Sequence, residues 1–415
     1  MKSYILLLTM LLATRCALMA QPRLPQAEPP MPQPLSLLDN DARHSLHLLL
    51  DPTPDPLRLM HDSHHLFLDL DADGFFYDSE RDMGLAKGFS LTGFRLSPAL
   101  SYGINTRAML RVGFEMTAFA GLDSLYAFKP LLTLVYMPLP WVSFVAGTLY
   151  GGHNHLLGAP VYDPVRHLYH HSEQGIQILT RTRHWQSDNW LDWTHYLTPY
   201  TADQEYFTMG TRHEFWLLPP APDHRGLSLS LPAHFIAMHR GGEVKTLDTN
   251  MTTLTNECIG LHLAYDADAG RGRHHLALDL PLYFMQHIVG SGTLHSGNAL
   301  HPTLTYALHR PNPADRSGWA LQAQAGYFFG NNYACKYGAI EFWTLNDYLR
   351  PYLRDADPTL TIDPTHLLTL QLAAEHEFQD VGIGIQFDAY HNLVLGRADF
   401  VFSFYLRYLG HLRLR

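Results

Sequence analysis

The chain has 415 residues, 46% hydrophobic and 16% charged, with a formal net charge of −10. That acidic balance excludes a nucleic-acid partner. Beyond the first twenty residues no apolar run approaches the ~20 residues a membrane helix needs, which excludes a helical membrane protein.

Residues 1–20 read as a signal peptide, with Lys2 in a basic n-region, Tyr4–Ala13 as a short apolar core and Ala20 before the cut. Without Lys2 and Arg15, the only charges of that segment, the net charge moves from −10 to −12. Arg15 directly before Cys16 fits a lipidation site badly. Residues 21–60 form a Pro-rich linker carrying Pro22, Pro25, Pro29, Pro30, Pro32 and Pro34.

From residue 61 to 415 the chain alternates. In Ala398–Leu409, Phe400, Phe402, Phe404 and Leu406 share one face, and Val401, Ser403, Tyr405 and Arg407 the other. In Arg107–Phe119, Val112, Phe114 and Met116 oppose Arg111, Glu115 and Thr117. Period two is a strand signal. One face is apolar throughout, while the other carries Arg111, Glu115, Asp192, Arg212, Glu214, Asp279, Glu375, Glu377, Asp388 and Arg407. Charges of both signs suit a hydrated lumen, whereas Arg facing lipid at mid-membrane costs ~2–4 kcal/mol. A soluble sandwich needs a dry face that these residues deny it. The sequence therefore predicts an all-β protein with a single closed antiparallel transmembrane β-barrel of about sixteen strands, fourteen as the alternative.

The strands run from His64–Leu70 and Phe94–Ile104 to Val381–Tyr390 and Ala398–Leu409. Short connections such as Asn105-Thr106 and Gln379-Asp380 alternate with long ones, Tyr150–Glu173, Arg240–Thr253 and Asn331–Thr365. Short turns belong at the periplasmic end, which places the C-terminus in the periplasm. Pro98, Pro130, Pro232 and Pro281 fall inside strands and predict bulges. Trp141, Trp185, Trp190, Trp193 and Trp216 sit near strand ends, where amphipathic rings anchor at the membrane interfaces.

Gly88-Phe-Ser-Leu-Thr-Gly93-Phe94, Gly147-Thr-Leu-Tyr-Gly-Gly152 with His155, Tyr162-Asp163-Pro164 and His239-Arg-Gly-Gly242 follow one another along the chain. In this the sequence resembles an uncharacterised family of Bacteroidetes-type outer-membrane β-barrels, over roughly residues 66 to 409. The resemblance implies a barrel in the outer membrane and names no catalytic residue.

Asp69, Asp71 and Asp73 at alternate positions, with Gly74 and Glu80, match the spacing of a calcium loop, so calcium is the one candidate cofactor. The flanks read as strand, unlike an EF-hand. Among 27 histidines, His153, His155, His167, His170 and His171 cluster in one loop, and His61, His64 and His65 in another. Solvated loops account for both clusters without a metal. Cys258 and Cys335 are free to pair in an oxidising compartment, though half-buried strand positions account for both. No Gly-x-Ser-x-Gly elbow occurs. Ser230 and His234 share the lumen side without marking a catalytic pair, so no enzyme activity is expected. The expected function is a porin-like passive channel for small hydrophilic solutes with a mild cation preference. The alternative is a closed scaffold barrel acting as a partner in an envelope protein assembly. Outer-membrane lipid is the expected surrounding.

Overall fold

The computed structural model of the protein describes residues 63–415 apart from 170–171, 197–203, 222–224, 242–251, 271, 290–292, 313–316, 354, 379 and 415. The expected signal peptide and the Pro-rich linker lie outside the described residues.

Nineteen strand segments form one sheet. They are β1 (Leu66–Glu80), β2 (Phe89–Asn105), β3 (Ala108–Phe119), β4 (Ala127–Leu139), β5 (Val142–Thr148), β6 (Gln174–Arg181), β7 (Trp185–His195), β8 (Tyr206–Leu218), β9 (Gly226–Arg240), β10 (Thr252–Ile259), β11 (His262–Ala269), β12 (Gly272–Asp279), β13 (Leu282–Val289), β14 (Thr293–Leu300), β15 (Thr303–Asn312), β16 (Ser317–Asn331), β17 (Thr365–Phe378), β18 (Val381–Asn392) and β19 (Arg397–Arg413). The pairs β10 and β11, β12 and β13, and β14 and β15 each make one stave, broken for two residues. The wall is thus a closed antiparallel barrel of sixteen strands. Closure is by β1 against β19, with Phe67 facing Arg413 and Glu80 facing Phe400.

The three breaks lie side by side, at Gly260-Leu261, Leu280-Pro281 and His301-Pro302. Pro281 and Pro302 have no amide to give the ladder. The expected bulges at Pro98, Pro130, Pro232 and Pro281 are absent, because the register runs through each proline unshifted. Leu70 faces Pro98, Phe114 faces Pro130 and Glu214 faces Pro232. Around Pro281, His262 faces Asp279 and Ile259 faces Leu282. The prolines thus cost hydrogen bonds without inserting a residue.

Alternation sets the two faces. Phe400, Phe402, Phe404 and Leu406 are exposed on the outside, and Val401, Ser403, Tyr405 and Arg407 are buried within. Val112, Ile176, Phe215, Leu276, Phe284, Leu304 and Ile385 continue the outer apolar belt. An apolar girdle around a wall whose backbone groups pair internally is stable only in lipid. The barrel therefore resides in the outer membrane. It should be mostly β by circular dichroism, and unboiled samples should migrate on gels differently from boiled ones. Marked helix content, or solubility without detergent, would contradict this wall.

β1 is longer than the sequence suggests. It takes in residues through Glu80, so the acidic segment forms wall instead of a surface crown. Two long connections at the opposite end from both barrel termini enter the lumen. These are 149–173, with short helical turns at Gly152–His155 and Arg166–Tyr169, and 332–364. They bind each other through Asp163 N–H to Tyr337 O at 2.6 Å, Ala339 N–H to Ala159 O at 2.9 Å and Tyr333 Oη to Pro160 O at 3.2 Å. Asn256 Nδ2 on the wall donates to Ala334 O at 3.0 Å. Leu157, Val161, Tyr333, Phe342, Leu345 and Ile362 pack with Ile236, Tyr283 and Phe328 of the inner wall into one dry cluster. Burying that apolar surface holds the loops inside.

Candidate functional site

Loop 149–173 is fastened to the wall by a buried ion triad. His155 Nδ1 lies 2.7 Å from Asp188 Oδ2 on β7, and its Nε2 lies 2.8 Å from Glu173 Oε2. Its ring stacks on Trp190 with centroids 3.6 Å apart. The stack depends on Gly210, which faces Trp190 across β7 and β8, because a Cβ there would stand 2.2 Å from the indole. Trp190 is therefore a lumen residue, contrary to its expected place in an interface belt. Burial alone would lower the His155 pKa, but Glu173 and Asp188 outweigh it and push it up to about 10. Burial conversely raises the Glu173 carboxyl, yet His155 and the Gly152 N–H hold it below its ordinary value. The imidazole is thus a cation fixed between two anions, with no free base character near neutral pH.

Beneath the two loops lies a cavity of ≈ 60 Å³. Asp163, Arg81 and Glu341 form its polar roof, and Leu157, Ala159 and Phe342 its apolar side. Thr369, Gln371, Gln386 and Asp388 of β17 and β18 form the floor, with His301 at one edge. Arg81 Nη2 pairs with Glu341 Oε1 at 3.1 Å, both buried, while the Arg81 Nε–H is buried without a hydrogen-bond partner. Asp163 Oδ1 accepts from Val165 N–H at 3.0 Å. Burial, reinforced by the nearby Glu341, pushes the Asp163 carboxyl up to about 7 against the opposing pull of Arg81 and Arg166. A carboxyl that titrates near neutral pH beside a permanent cation can take a proton from water and face a developing negative charge.

Of the charged residues read from the sequence as lumen-lining, Asp388 alone lines this cavity. Most of the others form pairs along the wall. Arg111 Nη2 reaches Asp71 at 2.9 Å, Arg212 Nη2 reaches Glu214 at 2.9 Å, and Arg407 Nη2 reaches Glu377 at 2.9 Å at the half-exposed lumen mouth. His262 Nδ1 contacts Asp279 Oδ1 at 2.6 Å, and Glu115 accepts from Ser172 at 2.8 Å. Asp192 accepts from Gln174 N–H at 2.8 Å, and Glu375 is buried on the inner face of β17. Asp69, Asp71 and Asp73 face the lumen along β1, where Arg111, Arg95, Ser101 and His411 meet them. Glu80 stands apart at the exposed strand end. Among the described residues no three His, Cys, Asp or Glu side chains converge with metal-holding geometry. Ser230 Oγ donates to Glu214 Oε1 at 2.9 Å, and His234 is paired with neither. Cys258 and Cys335 are free and buried, and Cys335 lies in the inserted loop where its thiol donates to Val161 O. His170 and His171, and the side chains of His153 and His167, lie outside the described residues.

Arg81, Glu341 and His301 carried no sequence signal. Asp163 stood in the Tyr162-Asp163-Pro164 segment without a role.

A closed barrel with a lipid-facing belt, a lumen occupied by its own loops and a titratable cavity beneath them defines an outer-membrane β-barrel with an enclosed site. Residues 58–415 match the family described as Lipid A 3'-O-deacylase-type, and the chain belongs to that family. Membership overturns the expectation of a barrel without enzymatic activity. The missing Gly-x-Ser-x-Gly elbow excluded one hydrolase architecture and no other. No curated protein matches the chain. Similar solved structures are OprD of Pseudomonas aeruginosa (10% identity, 84% of this chain and 94% of that one, TM-score 0.48), and OmpT of Vibrio cholerae in its trimer form (11%, 83% and 100%, 0.44). An anion-selective porin of Comamonas acidovorans is also similar (11%, 83% and 98%, 0.41).

Proposed function

We propose that this barrel is an acyl-ester hydrolase of the outer membrane that acts on lipid A or a closely similar glycolipid. Family membership across residues 58–415 carries the reading, and the cavity supplies a place for the chemistry. Asp163 takes a proton from a water as its oxygen bonds to the ester carbonyl carbon. Arg81, through its unpartnered Nε–H, stabilises the oxyanion that forms. The bond from carbonyl carbon to sugar oxygen then breaks, and the proton passes from Asp163 to the departing alkoxide. Leu157, Ala159 and Phe342 offer the apolar side against which the acyl chain lies.

The test is mass spectrometry of lipid A incubated with the purified barrel in mixed micelles. A loss of one acyl chain, matched by released fatty acid, is expected. Lipid A of unchanged mass would sink the proposal.

The passive channel read from the sequence keeps one supporting observation, the inward charged residues of the lower lumen. The dry loop cluster opposes it, since ions avoid apolar constrictions. In a planar bilayer the intact barrel is expected to show no steady current, and a variant shortened across 334–361 is expected to conduct. A steady ohmic current from the intact chain would favour the channel instead.

A further inference from the structure

We infer that the luminal cavity is a carbohydrate subsite that takes one unphosphorylated sugar ring. The inference deepens the hydrolase reading, resting on it only for the ester the ring carries.

The floor is a side-chain ladder across adjacent strands. Gln322 Nε2 donates to Gln371 Oε1 at 3.1 Å, and Gln371 Nε2 donates to Asp388 Oδ1 at 2.9 Å. Gln386 Nε2 donates to both carboxylate oxygens of Asp388, at 3.0 and 2.7 Å. Beside it, His301 Nε2 lies 3.2 Å from Thr369 Oγ1, while His301 Nδ1 is buried with no hydrogen-bond partner. Sugar hydroxyls both donate and accept. A surface where amides, a carboxylate, a hydroxyl and an unsatisfied ring nitrogen alternate is matched to them. Leaving that nitrogen dry and unpaired has a cost, which a ligand hydroxyl removes. Tyr77, Tyr162 and Tyr390 also line the space, and aromatic rings suit the C–H side of a pyranose.

Volume limits the occupant. At ≈ 60 Å³ the cavity has room for a small group of waters, each needing at least about 10–15 Å³, and so for one sugar ring at most. Charge limits it further. Asp163, Glu341 and Asp388 line the cavity, and among the described lining residues Arg81 is the one permanent cation, already paired with Glu341. A phosphate would bring roughly −1.5 to −2 charges into a site of low dielectric whose lining offers no second cation, since Arg166, which also bears on Asp163, is held over the Tyr337 ring at 3.9 Å. The phosphate-bearing part of a glycolipid therefore stays outside.

The experiment is calorimetric titration of the full barrel in detergent with N-acetylglucosamine and, separately, with its 6-phosphate. Saturable binding of the neutral sugar is expected, at least tenfold tighter than that of the phosphate. Gln371→Ala and Thr369→Val should each weaken it about tenfold while the gel shift on boiling persists. No saturable binding of the neutral sugar, or equal or tighter binding of the phosphate, would overturn the inference. So would unchanged binding in both variants. Neither sugar carries an ester, so this result is independent of whether lipid A loses an acyl chain.

Discussion

Asp163→Asn is expected to abolish acyl release while leaving the barrel folded. Asn is nearly the same shape as Asp, and its carbonyl oxygen can still accept from the Val165 N–H that Asp163 now holds at 3.0 Å. What it lacks is basicity. Removing a positioned general base typically costs about 10²–10⁴-fold in rate. The wild-type rate carries its own signature. The Asp163 carboxyl is held up at about 7 by burial and by Glu341, so the ionised, competent form grows as pH rises through that value. The rate on lipid A should therefore rise between about pH 6 and 8 and then level off. Fatty-acid release measured across this range decides the matter. A flat profile, or an Asp163→Asn variant as active as wild type, would remove Asp163 from the chemistry and send the search elsewhere in the lumen.

The second large effect is on stability. His155→Leu should loosen the loop 149–173 from the wall and lower the temperature at which the gel-resolved folded form disappears. The leucine leaves Glu173 and Asp188 facing each other without a cation, where they now stand 2.8 and 2.7 Å from the imidazole. Breaking a buried ion pair by removing one partner costs roughly 3–5 kcal/mol. The same triad makes alkali destabilising. His155 sits at about 10 in the folded chain against an ordinary 6.5, so its contribution is full below 6.5 and is lost as pH rises through about 10. Wild type should accordingly melt at lower temperature at pH 10 than at pH 7, and His155→Leu should flatten much of that difference. A variant that melts like wild type at both pH values would show that the dry cluster alone retains the loop.

The architecture was legible because a barrel writes its two environments into every other residue. Phe400, Phe402 and Phe404 against Ser403 and Tyr405 state which side is lipid before any strand is paired. The site was not legible, because nothing in that alternation says what fills the inside. Arg81 lies just past the end of β1, His301 in a break between β14 and β15, and Asp163 and Glu341 in loops 178 residues apart in the numbering. Only the folding of both loops into the lumen makes them neighbours. Trp190 shows the same limit. Its position near a strand end suggested an interface anchor, but the deciding facts are Gly210 opposite it and His155 above it, neither of which is local. The acidic run Asp69–Asp73 was ambiguous for a different reason. Spacing of alternate carboxylates serves a metal loop and a strand face equally, and the partners that separate the two cases, Arg95, Arg111 and His411, come from other strands.

The closing contact between β1 and β19 bears on how the molecule is made. Those two strands meet over fourteen facing residue pairs, yet they are the first and last staves of the barrel, so the seam exists only once residues near 413 have been synthesised. Until then β1 and β18 are bare edges, each offering unpaired amides and carbonyls to any passing strand. The loops 149–173 and 332–364 are finished earlier and end up enclosed, so they must already be gathered in the interior, or thread in afterwards, when the last strand zips home. A chain cut before Asp399 would carry both loops and most of the lining of the cavity, and still have no inside to put them in.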